Sequence, residues 1–84
     1  FERYIQAGGG YVGIHAATDT EYEWPWYGQL AGAYFLDHPM TPSNVQKGKY
    51  SVVKRDWATQ GMPDSFERTD EFYSFKNISP RITV

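Results

Sequence analysis

The spacing of apolar residues changes several times along the chain, and each change marks an element. Phe1, Tyr4 and Ile5 recur at i, i+3, i+4, the spacing of one helix face, so Phe1 to Ala7 reads as the end of a helix. Gly8, Gly9 and Gly10 stop it, because glycine takes a left-handed C-terminal cap at no steric cost. Tyr11 to His15 is a short continuous apolar run bounded by glycine. Such a run predicts a strand buried on both faces, as in a parallel sheet. Thr18 to Trp24 is polar and acidic and predicts a loop. Pro25 suits the first position of a helix that would run to about Phe35. Trp26, Leu30, Ala33 and Tyr34 would share one side of it, and Gly28, Ala31 and Gly32 would form a smooth second face.

His38-Pro39-Met40-Thr41-Pro42 breaks that helix and opens a loop. Gln46 to Asp56 alternates, with Tyr50, Val52 and Val53 as the inward candidates, and predicts a strand. Trp57 to Pro63 reads as loop. Asp64 or Ser65 would cap a short helical turn through Phe66 to Arg68. The aromatics of Phe72-Tyr73-Ser74-Phe75 predict the start of a strand, and Ile78 to Val84 a last strand interrupted by Pro80. No internal repeat, low-complexity tract or linker divides the 84 residues.

Composition narrows the partners. The net charge is −2, and Lys47, Lys49, Lys54 and Arg55 form the one loose basic cluster. It alternates with Tyr50, Val52 and Val53, which marks the wet face of a strand rather than a phosphate-binding patch, so nucleic acid is not an expected partner. There is no cysteine, hence no disulfide framework, thiolate nucleophile or cysteine metal site. No run approaches the roughly 18 apolar residues of a membrane span. Compartment and oligomeric state are not legible. Three Trp, seven Tyr and five Phe make the chain rich in aromatics, most densely from Tyr22 to Phe35. Packing accounts for most of them, and some would line a site. The chain opens inside a helix and closes inside an apolar alternation, so it is expected to be a fragment of a larger α/β domain, truncated at both ends.

The chemistry gathers at two histidines. In open α/β sheets ligands bind beyond the carboxyl ends of the strands, and His15 stands at such an end, with the small residues Ala16 and Ala17 next. An imidazole there suits general acid–base work near neutral pH or metal ligation. Gly-Ile-His also resembles a nucleophile elbow, in which a side chain is held up on a tight strand-to-helix turn. His38 follows an aromatic helix end, where it would complement the helix dipole or join His15. Asp19 lies four residues past His15, near the expected crevice. Asp70 and Glu71 precede Phe72-Tyr73, and Glu71 reads as a base, a metal ligand or a partner of the histidines. His15, His38 and a carboxylate would suffice for a facial metal site, although the spacing matches no zinc signature, so a divalent metal stays open as a cofactor. Trp24, Trp26, Tyr27 and Tyr73 offer flat apolar faces with polar tips, which suits sugar rings beside carboxylates. Helix anchoring by the same aromatics is the plainer alternative.

The succession Gly9-Gly10-Tyr11-Val12-Gly13-Ile14-His15-Ala16-Ala17-Thr18-Asp19, Trp24-Pro25-Trp26-Tyr27-Gly28, Gly32-Ala33-Tyr34-Phe35, His38-Pro39 and Arg68-Thr69-Asp70-Glu71-Phe72-Tyr73 resembles the ThuA-like family, named for trehalose utilisation. The resemblance covers most of the chain. It implies a class I glutamine-amidotransferase-like fold, a flavodoxin-like doubly wound parallel sheet, of which residues 1–84 would be the central to C-terminal part. At the elbow where amidotransferases carry a cysteine the chain has His15, so thiolate-driven glutamine hydrolysis is not open to it. By motif, His15, Asp19, His38, Asp70, Glu71 and Tyr73 are the implied pocket residues; with the aromatic faces added, the expected roles are catalytic for His15, His38 and Glu71 and substrate-binding for Asp19, Trp24, Trp26, Tyr27, Asp70 and Tyr73. The implied function is an enzyme acting on trehalose-related or keto-sugar substrates by His/carboxylate acid–base chemistry: an isomerase, hydratase or hydrolase. The alternative is a non-catalytic carbohydrate-binding or structural module on the same fold. One departure stands out: where many relatives carry a His-Pro pair, this chain reads Asp56-Trp57-Ala58-Thr59.

Overall fold

The computed structural model describes residues 1–84. Helix α1 (Glu2–Gln6) is followed by a 3₁₀ turn (His15–Thr18), helix α2 (Pro25–Ala31) and four strands, β1 (Tyr34–Asp37), β2 (Gln46–Ser51), β3 (Ser65–Asp70) and β4 (Ser74–Lys76). The strands form two separate two-stranded antiparallel ribbons, β1 with β4 and β2 with β3. Helices and strands are both present, as an α/β chain requires, but the parallel flavodoxin-like sheet is not among these 84 residues.

Several expected elements differ. Tyr11–His15 is not a strand. Ile14 has extended geometry (φ −120°, ψ 133°), yet no neighbouring strand pairs with the segment, and Val12 and Ile14 are 84% and 80% exposed. A strand exists only by pairing, and apolar patterning alone does not supply the partner. Helix α2 stops at Ala31 instead of Phe35. Gly32 adopts the left-handed conformation at its C-cap (φ 89°) and returns its N–H to the Gly28 carbonyl. Tyr34 and Phe35, freed from the helix, pair with Lys76 and Phe75 of β4. The strand expected over Gln46–Asp56 ends at Ser51.

The helical turn expected over Phe66–Arg68 is part of β3. Here the free edge of β2 overrides local capping signals: all six residues from Gln46 to Ser51 find partners, from Asp70 back to Ser65. A Lys47–Glu67 ion pair of 2.9 Å lies across the ribbon, and Tyr50 stacks on Phe66 with ring centres 5.2 Å apart. Ile78–Val84 is not a strand either. Pro80 has no N–H to give a ladder, and the tail turns back on α2, with Ser79 N–H bonded to the Gly32 carbonyl.

The small core lies between α2 and β1, where Tyr27, Ala33 and Tyr34 are buried. Both tyrosines keep their hydroxyls satisfied, as buried phenols must. Tyr34 donates to the Trp24 carbonyl at 2.7 Å. Tyr27 donates to the Ala17 carbonyl and lies 2.7 Å from the Tyr11 hydroxyl, tying α2 to the 3₁₀ turn. A smooth helix face at Gly28 is what lets Tyr34 approach: a Cβ there would stand 2.7 Å from the Tyr34 ring.

Gly28→Ala is therefore expected to destabilise the protein by up to about 2 kcal/mol. The overpacking cost of roughly 1–3 kcal/mol exceeds the helix-propensity gain of about 1 kcal/mol, because the Tyr34 ring is buried and pinned. Chemical denaturation checks this, with the exposed Gln29→Ala as a neutral control.

Candidate functional site

The site forms where the chain crosses from one ribbon to the other. Glu71, Phe72 and Tyr73 lie between the end of β3 and the start of β4. In an extended segment successive side chains alternate sides. Phe72 turns toward the second ribbon, against Gly48 and Tyr50, whose ring centre is 5.4 Å away. Glu71 and Tyr73 turn the other way, toward the histidines. The Glu71 backbone is fixed by its N–H to the Asp70 carboxylate at 2.8 Å, and Asp70 also faces Arg68 at 3.6 Å.

His15 begins the 3₁₀ turn directly after extended Ile14, with φ 51°. This is the left-handed region, uncommon outside glycine, where histidine is among the more tolerated residues. The elbow read from the sequence is thus present as backbone geometry, without the strand ladder. Its turn is held by the Tyr27–Ala17 hydrogen bond.

The two histidines meet at one carboxylate. His15 Nε2 is 3.9 Å from Glu71 Oε1, and His38 Nε2 is 3.8 Å from Glu71 Oε2. His38 reaches this point from the loop after β1, although 23 residues of sequence separate it from His15. Tyr73 closes the group. Its hydroxyl lies 3.3 Å from His15 Nδ1, and its ring packs edge-on against Phe35 at 4.5 Å and roughly parallel to His38 at 6.3 Å. The His15 side chain is 58% exposed and that of Glu71 22%, so Glu71 lies behind and His15 in front.

A hollow of about 300 Å³ opens at this group, lined by His15, Asp70 and Glu71 with the aromatics Tyr50, Phe72, Tyr73 and Phe75. Four expected site residues therefore converge: His15, Asp70, Glu71 and Tyr73. His38 touches Glu71 from behind without lining the hollow. The others serve elsewhere. Asp19 accepts the Tyr22 hydroxyl. Trp24 and Trp26 lean on each other with ring centres 5.2 Å apart, and Phe1 packs edge-on against Trp26 at 5.8 Å. Tyr27 is core. No three His, Cys, Asp or Glu side chains converge as a metal-binding group; the imidazoles and the Glu71 carboxylate are set as partners of one another.

Four contributors escaped the sequence reading, Phe72 and Phe75 in the wall of the hollow among them. Asn44 donates from Nδ2 to Glu71 Oε2 at 3.1 Å, and Tyr50 walls the hollow from the second ribbon. Nothing in the local sequence marks Asn44, whereas the inward alternation of Tyr50 was a partial signal. The Asp56-Trp57-Ala58-Thr59 loop lies apart from the hollow. It is braced by Arg55, which bonds the Thr59 and Met62 carbonyls and the Asp64 carboxylate, and Trp57 is 85% exposed.

The tyrosines record the local fields. The Asp19 hydrogen bond, then partial burial, pushes Tyr22 up from 10.0 to about 12. Burial and then the Tyr11 hydroxyl push Tyr27 up to about 12. Tyr73 is raised as well, first by loss of water and then by the Glu71 carboxylate. In each case the folded chain favours the protonated phenol, so the contribution to stability is complete below pH 10, and for Tyr22 and Tyr27 it is lost as pH rises through about 12. Asp19→Asn is expected to bring the Tyr22 midpoint back toward 10.0 and leave Tyr27 in place, as followed by NMR of ¹³Cζ-labelled tyrosine.

No helix is long and apolar enough to cross a membrane. No curated protein and no solved structure matches the chain. The family model of ThuA, described as trehalose utilisation, matches residues 1–84, the whole of the sequence in which the converging His15, His38 and Asp70–Tyr73 motifs lie. The chain belongs to the ThuA family of trehalose utilisation.

Proposed function

We propose that this chain carries the acid–base centre of an enzyme acting on trehalose-related or keto-sugar substrates. The observation that carries the reading is the Glu71 carboxylate standing between two imidazoles at the edge of an aromatic hollow. About 300 Å³ is at the lower end of small-molecule sites, roughly 300–1,000 Å³. Tyr50, Phe72 and Phe75 offer faces for the C–H side of a sugar ring, and Asp70 an acceptor for its hydroxyls. His15 takes a proton from the substrate in isomerisation, or from an attacking water in hydration or hydrolysis, and returns it to another substrate atom or to the leaving group, so that the enzyme ends unchanged. Glu71 offsets the charge of the imidazolium in between. Tyr73, held protonated by its surroundings, is a hydrogen-bond donor for a substrate oxygen or for His15. In this reading His38 is the rear partner of Glu71.

The larger architecture in which this centre works is, on the same reading, the doubly wound sheet of the glutamine-amidotransferase-like fold. Its support is the extended, apolar and unpaired Tyr11–Ile14 segment ending at the His15 elbow. A buried parallel strand would have this character once flanked by its neighbours. A carbohydrate-binding module without turnover is the second reading, favoured by the Trp24–Trp26 pair outside the hollow.

Calorimetry of the intact protein with trehalose, glucose and their 3-keto derivatives, with and without added divalent metal, tests both. His15→Asn preserves tolerance of the left-handed backbone while removing the proton carrier. Saturable binding is expected in both forms, with turnover lost by about 10²–10⁴-fold in the variant. Binding without turnover in either form would favour the module, and no binding to any of these sugars would remove the carbohydrate reading.

A further inference from the structure

We propose that Asn44 is a positioning residue that divides the Glu71 carboxylate into a held oxygen and a working one. The inference rests on the acid–base reading for its functional meaning, and on geometry for its substance. Asn44 Nδ2 lies 3.1 Å from Oε2, closer than either histidine nitrogen, at 3.9 and 3.8 Å. It shares Oε2 with His38, whereas Oε1 faces His15. The hollow is lined by His15 and Glu71 and not by Asn44 or His38. The amide therefore grips the carboxylate oxygen that faces His38 and leaves the other oxygen to His15.

The amide stands on a braced loop. Gln46 Nε2 donates to the Ser43 carbonyl at 2.7 Å, and the Val45 N–H bonds the Ser43 hydroxyl at 3.2 Å. A neutral donor is the residue type this task needs. Lysine or arginine would neutralise the carboxylate on which both imidazoles depend, and aspartate would repel it. An uncharged N–H fixes orientation and leaves the charge in place.

The test needs no sugar. In the intact protein, the titration of Tyr73 is followed by ¹³Cζ labelling. The ionisable groups facing Glu71 are His15, His38 and Tyr73, with Asp70 adjacent. Asn44→Leu keeps the volume and removes the donor. Its released carboxylate is expected to let Tyr73 fall toward the ordinary tyrosine value. Asn44→Gln keeps an amide donor and is expected to leave Tyr73 raised. A fall of about half a pH unit or more in Asn44→Leu with none in Asn44→Gln supports positioning, because simple loosening of the loop would move both variants in the same direction. An unchanged Tyr73 midpoint in Asn44→Leu, or the same fall in both variants, overturns it. Should Asn44→Leu not fold, Asn44→Ala is read in the same way. A fall confined to the variant without the donor, in a protein that binds none of the sugars, would sustain the role of Asn44 and remove the sugar reading alone.

Discussion

Everything at the site depends on three residues that belong to neither ribbon. Between β3 and β4 the chain passes from one pair of strands to the other in the span Glu71–Tyr73, and successive side chains there take opposite sides. Phe72 is spent on holding the second ribbon, through Gly48 and Tyr50. Glu71 and Tyr73 are thereby delivered together to the opposite side, where His15 and His38 meet them. One missing or extra residue in this crossing would exchange the two faces, putting the phenylalanine among the histidines and the carboxylate against the aromatic wall.

The second constraint is the backbone of His15. A non-glycine residue at φ 51° carries about 1–2 kcal/mol of conformational cost, and such residues persist only where their surroundings over-determine them. The determinants are visible. Tyr27 is buried, helix α2 carries it, and its hydroxyl grips the Ala17 carbonyl within the turn. Tyr27 thus acts on the site through packing, two steps from the hollow, which is a different role from the sugar contact its exposed-face chemistry implied.

What was legible in the sequence was chemistry more than topology. His15 stood out at a break in apolar spacing, whereas Asp70, Glu71 and Tyr73 were grouped with it by the motifs of the resemblance, and the four side chains line one hollow. Helix α2 was readable from Pro25, but its stop at Gly32 was not, because Tyr34 and Phe35 continued the helical spacing yet had a strand partner waiting. The Phe66–Arg68 error has the same origin: capping is a local preference, and the six-residue register with β2 is a distant one that outweighs it. Asn44 was invisible because a single hydrogen bond across 27 residues leaves no periodicity behind.

The unpaired segment before His15 has a consequence for handling. Gly10–Gly13 presents free backbone donors and acceptors, the Ile14 carbonyl being taken by the Ala17 N–H, with Val12 and Ile14 turned to water, and no lysine, proline or bulge guards the stretch. An open edge of this kind accepts any passing strand. The stretch that aims His15 is thus open to strand pairing, and a charge placed at Val12 would oppose such pairing, including the pairing that the doubly wound sheet of the proposed reading requires.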